Sequence, residues 1–326
     1  MNGKLATGLE EIAHDLSALK KGGFWAVIGS FEGQWTLARF SQVIASNLPT
    51  DIVWIPISPE KWISSFSEDN YCKYVTQIQE EIAAGSVYQV NACRTLTAPN
   101  PENTSLLGLA AAITNSNPAP FASYISLPDL QIASASPERF ISLEGKTIIS
   151  SPIKGTSATK DFLEKDHAEN LMIVDLIRND IGAIAKVGSV TTPRLLETEE
   201  HPGLFHLVSD VRAEISDELE ISDVLKSMMP PGSVSGAPKS SALKIIQQWE
   251  GQRDIYCGTI GWVDMDSMQG ELAVAIRTFW QRNDGVLRFG TGAGITWGSK
   301  AQQEWEETVL KARRLIGIAG GAKEFA

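Results

Sequence analysis

The chain has 326 residues, 43% hydrophobic and 21% charged, so it can bury the core of one large or two smaller globular domains. Its formal net charge of -11 argues against nucleic acid as the main partner, because binding a phosphate backbone requires a basic surface. The three cysteines are scattered and predict neither a zinc site nor a disulfide framework. The first residues lack the apolar core of a signal peptide, and no run of 18 apolar residues occurs, so we expect a cytoplasmic protein without membrane contact.

Periodicity and turn residues predict alternating helices and strands along the whole chain. The first 70 residues are expected to form a helix (about 7–20), a strand (24–30) and a mixed segment ending near 64. Further helices are predicted at about 71–84, 106–115, 161–184, 218–228, 240–249 and 301–316. Further strands are predicted at 87–92, 121–127, 140–144, 147–150, 204–211, 256–263, 271–282 and 286–291. No linker composition separates them, which indicates one compact α/β unit with a small N-terminal addition.

Lys154 follows a predicted hairpin whose two strands, 140–144 and 147–150, are joined by Glu144-Gly145-Lys146. Because a hairpin brings its two ends together, we expect the Glu138 carboxylate to lie near the Lys154 amine. A desolvated lysine beside a carboxylic acid is a candidate nucleophile with a proton-transfer partner. The simpler alternative is an ion pair at the end of a strand, since structural ion pairs are common.

Two predicted helices each carry a pair of acids at a spacing of three, Asp166 with Glu169 and Glu304 with Glu307. That spacing places both carboxylates of a pair on one side of the helix. If the two helices converge, the four acids would suit Mg²⁺, which prefers a few carboxylates plus ligand oxygens. Taken singly, each pair is an ordinary solvated helix face. Polar residues at 175–180 form either an interior network or a capping set.

Several other residues are candidates for binding an anion. Arg277 lies in an apolar stretch and requires a partner, either a carboxylate ligand or a buried salt bridge. Gly292-Ala293-Gly294 is predicted to interrupt the sheet. Gly292 and Gly294 allow close approach of backbone N–H groups to an anion, although an ordinary turn or bulge is the simpler explanation. Ser233 precedes a helix and either binds an anion or caps that helix. His206, taken alone, is an ordinary core histidine.

Eight motifs, in this order, resemble those of the chorismate-utilising enzymes over about residues 70–316. The motifs are Tyr88-Gln89-Val90-Asn91, Ser136-Pro137-Glu138-Arg139-Phe140, Pro152-Ile153-Lys154-Gly155-Thr156, Asp175-Leu176-Ile177-Arg178-Asn179-Asp180, Gly232-Ser233-Val234-Ser235-Gly236-Ala237-Pro238-Lys239, Ala275-Ile276-Arg277-Thr278, Gly292-Ala293-Gly294 and Glu304-x-x-Glu307-Thr308. The resemblance implies an α+β fold, layered α/β/β/α, with two mostly antiparallel sheets and outer helices. It also implies a shortened N-terminal region (1–70) packed on a chorismate-binding catalytic core (71–320).

Two positions discriminate within this family. Anthranilate synthases typically carry Ala where this chain has Lys154, whereas aminodeoxychorismate synthase component I carries Lys. Gln89 stands where isochorismate and salicylate synthases carry a lysine that activates water. The resemblance therefore implies conversion of chorismate and ammonia to 4-amino-4-deoxychorismate, for p-aminobenzoate and folate synthesis. Anthranilate synthase component I and a non-catalytic chorismate-binding paralogue are the alternatives.

The resemblance also implies roles for individual residues. Deprotonated Lys154 attacks C2 of the ring to form a covalent adduct, and Glu138 protonates the leaving hydroxyl. Mg²⁺ is held by Glu169 and Glu307, assisted by Glu304 and Asp166. The implied substrate contacts are Gln89, Thr156, His206, Ser233, Tyr256, Arg277, Gly292, Gly294 and Lys311. No glutaminase domain is fused to the chain, so ammonia is expected from solution or from a separate glutamine amidotransferase.

Overall fold

The structure, a computed structural model, describes residues 1, 3–100, 104–157, 159–162, 164–201 and 204–320, without the side chains of 156, 157, 165, 201 and 204. The strands are β1 (Lys4–Ala13), β2 (Phe24–Gly29), β3 (Trp35–Ala45), β4 (Ile63–Ser64), β5 (Gln89–Pro99), β6 (Phe121–Leu127), β7 (Leu130–Ser136), β8 (Arg139–Glu144), β9 (Thr147–Ser151), β10 (Ile153–Ser157), β11 (Thr191–His201), β12 (Leu204–Glu214), β13 (Gly236–Ala237), β14 (Thr259–Asp264), β15 (Gln269–Val274), β16 (Thr278–Arg282) and β17 (Val286–Ile295). The α-helices are α1 (Glu68–Ala83), α2 (Leu107–Ser116), α3 (Glu164–Gly182), α4 (Ile221–Met228), α5 (Lys239–Trp249) and α6 (Ala301–Ala319).

The strands form two antiparallel sheets. The first has ten strands in the order β1-β3-β2-β14-β15-β8-β9-β12-β10, with β11 paired to β12. The second has seven, in the order β13-β5-β17-β16-β7-β6, with β4 paired to β5. The first three strands extend the first sheet through the pairing of β2 with β14. The predicted α+β class with two antiparallel sheets is confirmed, whereas a boundary at residue 70 stays a prediction.

A shared hydrophobic core joins the sheets. Trp25 and Val27 of the first sheet belong to the same buried cluster as Ile132 and Trp280 of the second. A smaller cluster lies where α2 and α6 pack against β5, β16 and β17. In the described residues, no helix is both long enough and apolar enough to span a membrane. The three cysteines are free thiols.

The predicted helix at 7–20 is wrong. Residues 4–13 form β1, and a short 3-10 helix covers Leu16–Lys21. Leu9 and Ile12 are three apart, which is a helical spacing, but a bulge before Glu11 inserts one extra residue into β1. Leu9 and Ile12 therefore pair with residues two apart on β3 and lie on the same face of the strand. A bulge imitates the helical spacing in this segment.

The predicted single strand 271–282 is two strands. β15 ends at Val274 in the first sheet, and β16 begins at Thr278 in the second. Arg277 lies at the crossover with φ of 51°, a left-handed conformation that few L-residues adopt. The continuous apolar run before Arg277 gave no sign of this break. The predicted interruption at Gly292-Ala293-Gly294 is also wrong, because β17 continues through it, paired with β5.

Most other elements lie close to their predicted positions. The hairpin at 139–151 and the strand at 121–127 are confirmed, as are the six predicted helices after residue 70, within a few residues. In α3 the buried positions include Ile173, Val174 and Ile177, whereas Leu171 is exposed.

Gly290 in β17 leaves room for the Tyr256 ring, because a β-carbon there would lie 2.0 Å from the ring's Cγ. We expect Gly290→Ala to destabilise the protein by about 2 kcal/mol or more, since both groups are enclosed by the core and cannot easily move apart. Urea denaturation measures this loss. Gly298→Ala is the matched control, because its β-carbon would have no atom within 4 Å and should change little. Equal stability of the two variants would contradict the prediction.

Candidate active site

Lys154 is held by β10 at the end of the first sheet. It pairs with Leu207 of β12, and a bulge separates this pair from the next, Thr156 with His206. Gly155 in the bulge has φ of 81°, and a β-carbon there would meet Asp166 and Leu207 at 3.1 and 3.2 Å. Glycine at 155 therefore lets α3 pack closely on β10.

Glu169 of α3 faces Lys154. The Lys154 Nζ lies 3.2 Å from Glu169 Oε1, and the lysine side chain is only 16% exposed. Gln89 of β5, which is 2% exposed, donates from Nε2 to the same oxygen at 2.8 Å. A β-carbon at Gly294 would lie 2.4 Å from that nitrogen, so the glycine makes room for the amide. Residues from β5, β10, α3 and β17 thus meet at one point.

Glu138 lies in the connection between β7 and β8 and is 4% exposed. Its backbone is fixed, because Val274 N–H donates to the Glu138 carbonyl at 3.0 Å and Ser136 Oγ donates to the Val274 carbonyl at 2.6 Å. Burial raises the pKa of Glu138 to about 7, although a hydrogen bond from Ser233 and the charges of Lys154 and Lys311 oppose the rise. A carboxyl group with such a pKa can donate and accept protons near neutral pH.

The Lys154 amine is charged in this arrangement. Burial would lower its pKa, but the carboxylates of Glu169 and Glu138 outweigh burial and raise the pKa above its ordinary value. Burial would likewise raise the pKa of Glu169, yet Lys154 and Gln89 keep it below its ordinary range. Lys154 is therefore an ammonium ion paired with Glu169, and it must lose a proton before it can act as a nucleophile.

The last helix contributes three charged residues to the same region. Lys311 bridges the Glu307 carboxylate at 2.6 Å and the Gly292 carbonyl oxygen at 3.1 Å. Burial raises the pKa of Glu304, and the negative charges of Glu307 and Glu169 add to the rise. The acids of α3 and α6 are therefore close enough to repel one another, as convergence of the two helices requires.

The donor set suits a hard divalent cation, although it is not assembled into a finished site. Glu169, Glu304 and Glu307 offer carboxylate oxygens whose mutual repulsion a cation would relieve. In this arrangement Lys154 and Lys311 neutralise two of them. Among the described residues, no three candidate ligands stand close enough together to hold a metal ion. Asp166 lies on the same helix as Glu169, against Gly155.

Three further predicted residues are Tyr256, His206 and Arg277. The buried Tyr256 ring packs on Gly290, and buried His206 lies on β12 opposite Thr156, whose side chain is outside the described residues. Arg277 is half-buried, and its carbonyl oxygen accepts from Ala135 N–H at 3.0 Å. Its guanidinium makes no hydrogen bond or ion pair to the described residues, and burial alone lowers its pKa. An arginine in this condition is a ready partner for a ligand carboxylate.

Sequence reasoning left one charged pair near this site without a role. Asp180 of α3 binds Lys239 at the start of α5, with Oδ2 and Nζ 2.6 Å apart. The sequence left two interpretations open for residues 175–180, an interior polar network or a capping set. In the structure, Asp180 belongs to an interior ion pair. The sequence feature that could have indicated this pair is Lys239, which ends the motif that contains Ser233.

A family model described as chorismate binding enzyme matches residues 56–317. The chain belongs to this family. The match covers most of the chain and includes every predicted site residue. The family resemblance seen in the eight motifs is confirmed.

Curated members of the family are similar over most of this chain. Aminodeoxychorismate synthase component 1 from Klebsiella aerogenes is 37% identical over 270 residues, which are 78% of this chain and 59% of the relative. Anthranilate synthase component 1 from Aquifex aeolicus (strain VF5) is 37% identical over 284 residues, 81% of this chain and 56% of the relative. The chain thus spans less than two thirds of either relative's length, and overall identity does not choose between them.

Solved structures of family members share the fold. Anthranilate synthase component I from Streptococcus pneumoniae TIGR4 superposes with a TM-score of 0.82 at 22% identity, covering 96% of this chain and 91% of that one. The menaquinone-specific isochorismate synthase from Escherichia coli gives a TM-score of 0.77 at 18% identity, covering 97% and 85%. At this level of identity the likeness establishes the fold alone.

Proposed function

We propose that this protein is an aminodeoxychorismate synthase component I, which converts chorismate and ammonia to 4-amino-4-deoxychorismate. The observation that carries the proposal is Lys154, largely buried beside Glu169 and within electrostatic reach of Glu138. Anthranilate synthases typically have alanine there, and a buried lysine without a task would be costly. The 37% identity to aminodeoxychorismate synthase component 1 supports the same choice.

The first step needs a neutral amine and a protonated acid. A proton shift from the Lys154 ammonium to the Glu138 carboxylate produces both at once. Lys154 Nζ then forms a bond to C2 of the ring, the double bond shifts, and the C4–O bond breaks. The departing hydroxyl takes the Glu138 proton and leaves as water.

The second step reverses the substitution with a different nucleophile. Ammonia forms a bond to C4, the double bond shifts back, and the electron pair of the C2–N bond returns to Lys154. The new amine loses a proton to Glu138, which resets the acid. Gln89, neutral where isochorismate and salicylate synthases have lysine, offers no base to activate water instead.

Magnesium would be held by Glu169 and Glu307, with Glu304 and Asp166 assisting, and when bound it would neutralise the ring carboxylate of chorismate. The fit rests on the repulsion of Glu304 by Glu307 and Glu169. Lys154 and Lys311 balance the carboxylates at 169 and 307 in this arrangement.

The proposal includes a separate glutamine amidotransferase as the source of ammonia. The name component 1 of the relatives supports a second subunit. Accordingly, the isolated protein should use ammonium salts but not glutamine, and the synthesis should serve p-aminobenzoate and folate production in the cytoplasm.

Arg277→Met tests the binding of a substrate carboxylate. We expect the Kd for chorismate to rise about 10-fold or more, since a charge-assisted pair is lost. Thermal stability should hold or rise, because the Arg277 guanidinium has no partner among the described residues and is partly buried. Calorimetric titration and melting curves measure both effects. The control is Arg282→Met, which breaks a 2.6 Å pair with Asp254 and should leave chorismate binding intact. Unchanged affinity in Arg277→Met would reject this role.

Product identification tests the whole proposal. The protein is incubated with chorismate, MgCl₂ and ammonium chloride, together with a lyase that releases p-aminobenzoate. Formation of p-aminobenzoate is the expected result. Chorismate binding without turnover would instead indicate a non-catalytic paralogue.

Anthranilate synthase component I is the second candidate, favoured by the equal identity to the Aquifex aeolicus protein. The same incubation distinguishes it, because anthranilate is fluorescent and forms without the lyase. Fluorescent product in place of p-aminobenzoate would overturn the first assignment while keeping the family.

A further inference from the structure

A small cavity lies behind Glu138. Glu138, Ser150, Asp180, Gly232 and Ser233 are among the residues that line it. Its volume is about 10 Å³. That is the lower limit for one water molecule, and several polar residues are available to bind it.

One turn of chain connects the two carboxyl groups on this cavity. Ser233 hydrogen-bonds the Glu138 carboxyl group. A β-carbon on the preceding residue, Gly232, would lie 3.1 Å from Asp180 Oδ2, so this carboxylate is directly behind the turn. A side chain at 232 would occupy the space between Asp180 and the loop.

Asp180 and Lys239 connect the cavity with solvent. Their side chains are 12% and 17% exposed, so each reaches the surface with one edge while Asp180 also lines the cavity. Lys239 Nζ is anchored by the Met228 carbonyl oxygen at 3.4 Å as well as by Asp180. Burial raises the pKa of Asp180 although Lys239 opposes the rise, which favours its taking up a proton.

Glu138 needs a second route for protons if the proposed function holds. A ring bound in front of Lys154 covers the open side of the carboxyl group, which is already almost fully buried. Near neutral pH some molecules bind substrate with Glu138 in the wrong protonation state. Without another path these complexes must release the substrate before they can react.

We propose that Asp180 and Lys239, acting through one water molecule in the cavity behind Glu138, carry protons between the Glu138 carboxyl group and solvent. In the uptake direction the water donates a proton to the Glu138 carboxylate and accepts one from the Asp180–Lys239 pair. Solvent then returns a proton to the pair. No bond other than O–H and N–H bonds is made or broken. The relay rests on the proposed function for the role of Glu138.

The charged groups around both acids set the direction of transfer. Glu138 faces Lys154 of β10 and Lys311 of α6, while its neighbour Arg139 is bound to Glu271 at 2.8 Å. Asp180 faces Lys239. Chorismate, with two carboxylates, adds negative charge in front of Glu138 and should draw a proton into it.

Proton uptake on binding tests the relay without requiring turnover. The protein is mixed in a stopped-flow instrument with chorismate, without ammonia, near pH 7 in weakly buffered phenol red with MgCl₂. Tryptophan fluorescence reports binding in the same experiment. Wild type should take up protons as fast as it binds, whereas Asp180→Asn should bind equally fast and take up protons at least about 10-fold more slowly.

Two controls make the result specific. Glu138→Gln should abolish the uptake, which identifies its destination. Asp254→Asn, which removes a carboxylate paired with Arg282 at another site, should behave as wild type. Equal uptake rates in Asp180→Asn and wild type, or uptake that survives in Glu138→Gln, would overturn the relay. Failure of the proposed function shows separately, as absence of p-aminobenzoate when ammonia is added.

Discussion

Lys154→Ala is expected to reduce formation of 4-amino-4-deoxychorismate on the order of 10³-fold or more. The variant loses the atom that bonds to C2, and Glu169 loses its ion-pair partner at 3.2 Å. Coupled release of p-aminobenzoate measures the rate. In wild type without ammonia, mass spectrometry should detect chorismate, less one water, attached to the peptide that contains residue 154.

A charge-preserving variant separates nucleophilic from electrostatic roles. Lys154→Arg keeps a cation beside Glu169, but a guanidinium stays protonated and cannot attack. We expect it to be as inactive as the alanine variant. Lys244→Ala, which replaces an exposed lysine on α5, is the surface control and should be fully active. If arginine restores the rate, Lys154 acts through its charge and the covalent step is wrong.

The sequence predicted what local patterns encode. The hairpin at 139–151 was predictable because its turn and alternation are local, and it correctly brought Glu138 within electrostatic reach of Lys154. The approach of α3 to α6 could not be predicted from local patterns, because residues 169 and 304 are far apart in the sequence and come close only in the folded chain. Their proximity became an expectation only through the family resemblance.

The misread elements share one physical cause. A bulge in β1, next to Gly8 with φ of 70°, and a crossover at Arg277 both change which face a residue points to. The prediction for residues 292–294 was wrong in the opposite way, because it broke a strand that is continuous. Their glycines make room for neighbouring groups in a continuous strand and do not end it. Tertiary packing determines both where a strand breaks and where it continues, so sequence periodicity alone cannot predict either.

The charge state of Lys154 was the other expectation that the structure revised. A deprotonated amine was expected, and burial alone would favour it. The carboxylates of Glu169 and Glu138 reverse that balance and raise its pKa. The proton shift to Glu138 in the proposed mechanism follows from this finding and could not have been read from spacing.

Glu138→Gln is the second change with a large expected effect. Glutamine keeps the shape and the capacity to bond Ser233, but it cannot release a proton to the departing hydroxyl. We expect the rate to fall about 10²- to 10⁴-fold. In wild type the step that expels the hydroxyl should become faster as pH rises through about 7, because the proton shift from Lys154 requires the Glu138 carboxylate, and this dependence should vanish in the variant.

The same substitution should stabilise the fold at alkaline pH. The pKa of Glu138 is raised from an ordinary 4.5 to about 7. Between these values the unfolded chain ionises while the folded protein stays protonated, so stability falls as pH rises from 4.5 and the loss is complete above 7. The shift corresponds to about 3 kcal/mol. Glutamine removes this penalty, so urea unfolding should find Glu138→Gln more stable than wild type at pH 8 and nearly equal at pH 4.5.

A second buried glutamate gives the opposite expectation. Glu271 is bonded through both carboxylate oxygens to Arg139, at 2.8 and 3.3 Å. Glu271→Gln should therefore lose stability at pH 8, because it leaves the arginine without its counter-charge. If Glu138→Gln is destabilised at pH 8 to the same extent, Glu138 is a structural ion-pair partner of Lys154. The assignment as an acid held protonated for catalysis would then fail, even with a low rate in the variant.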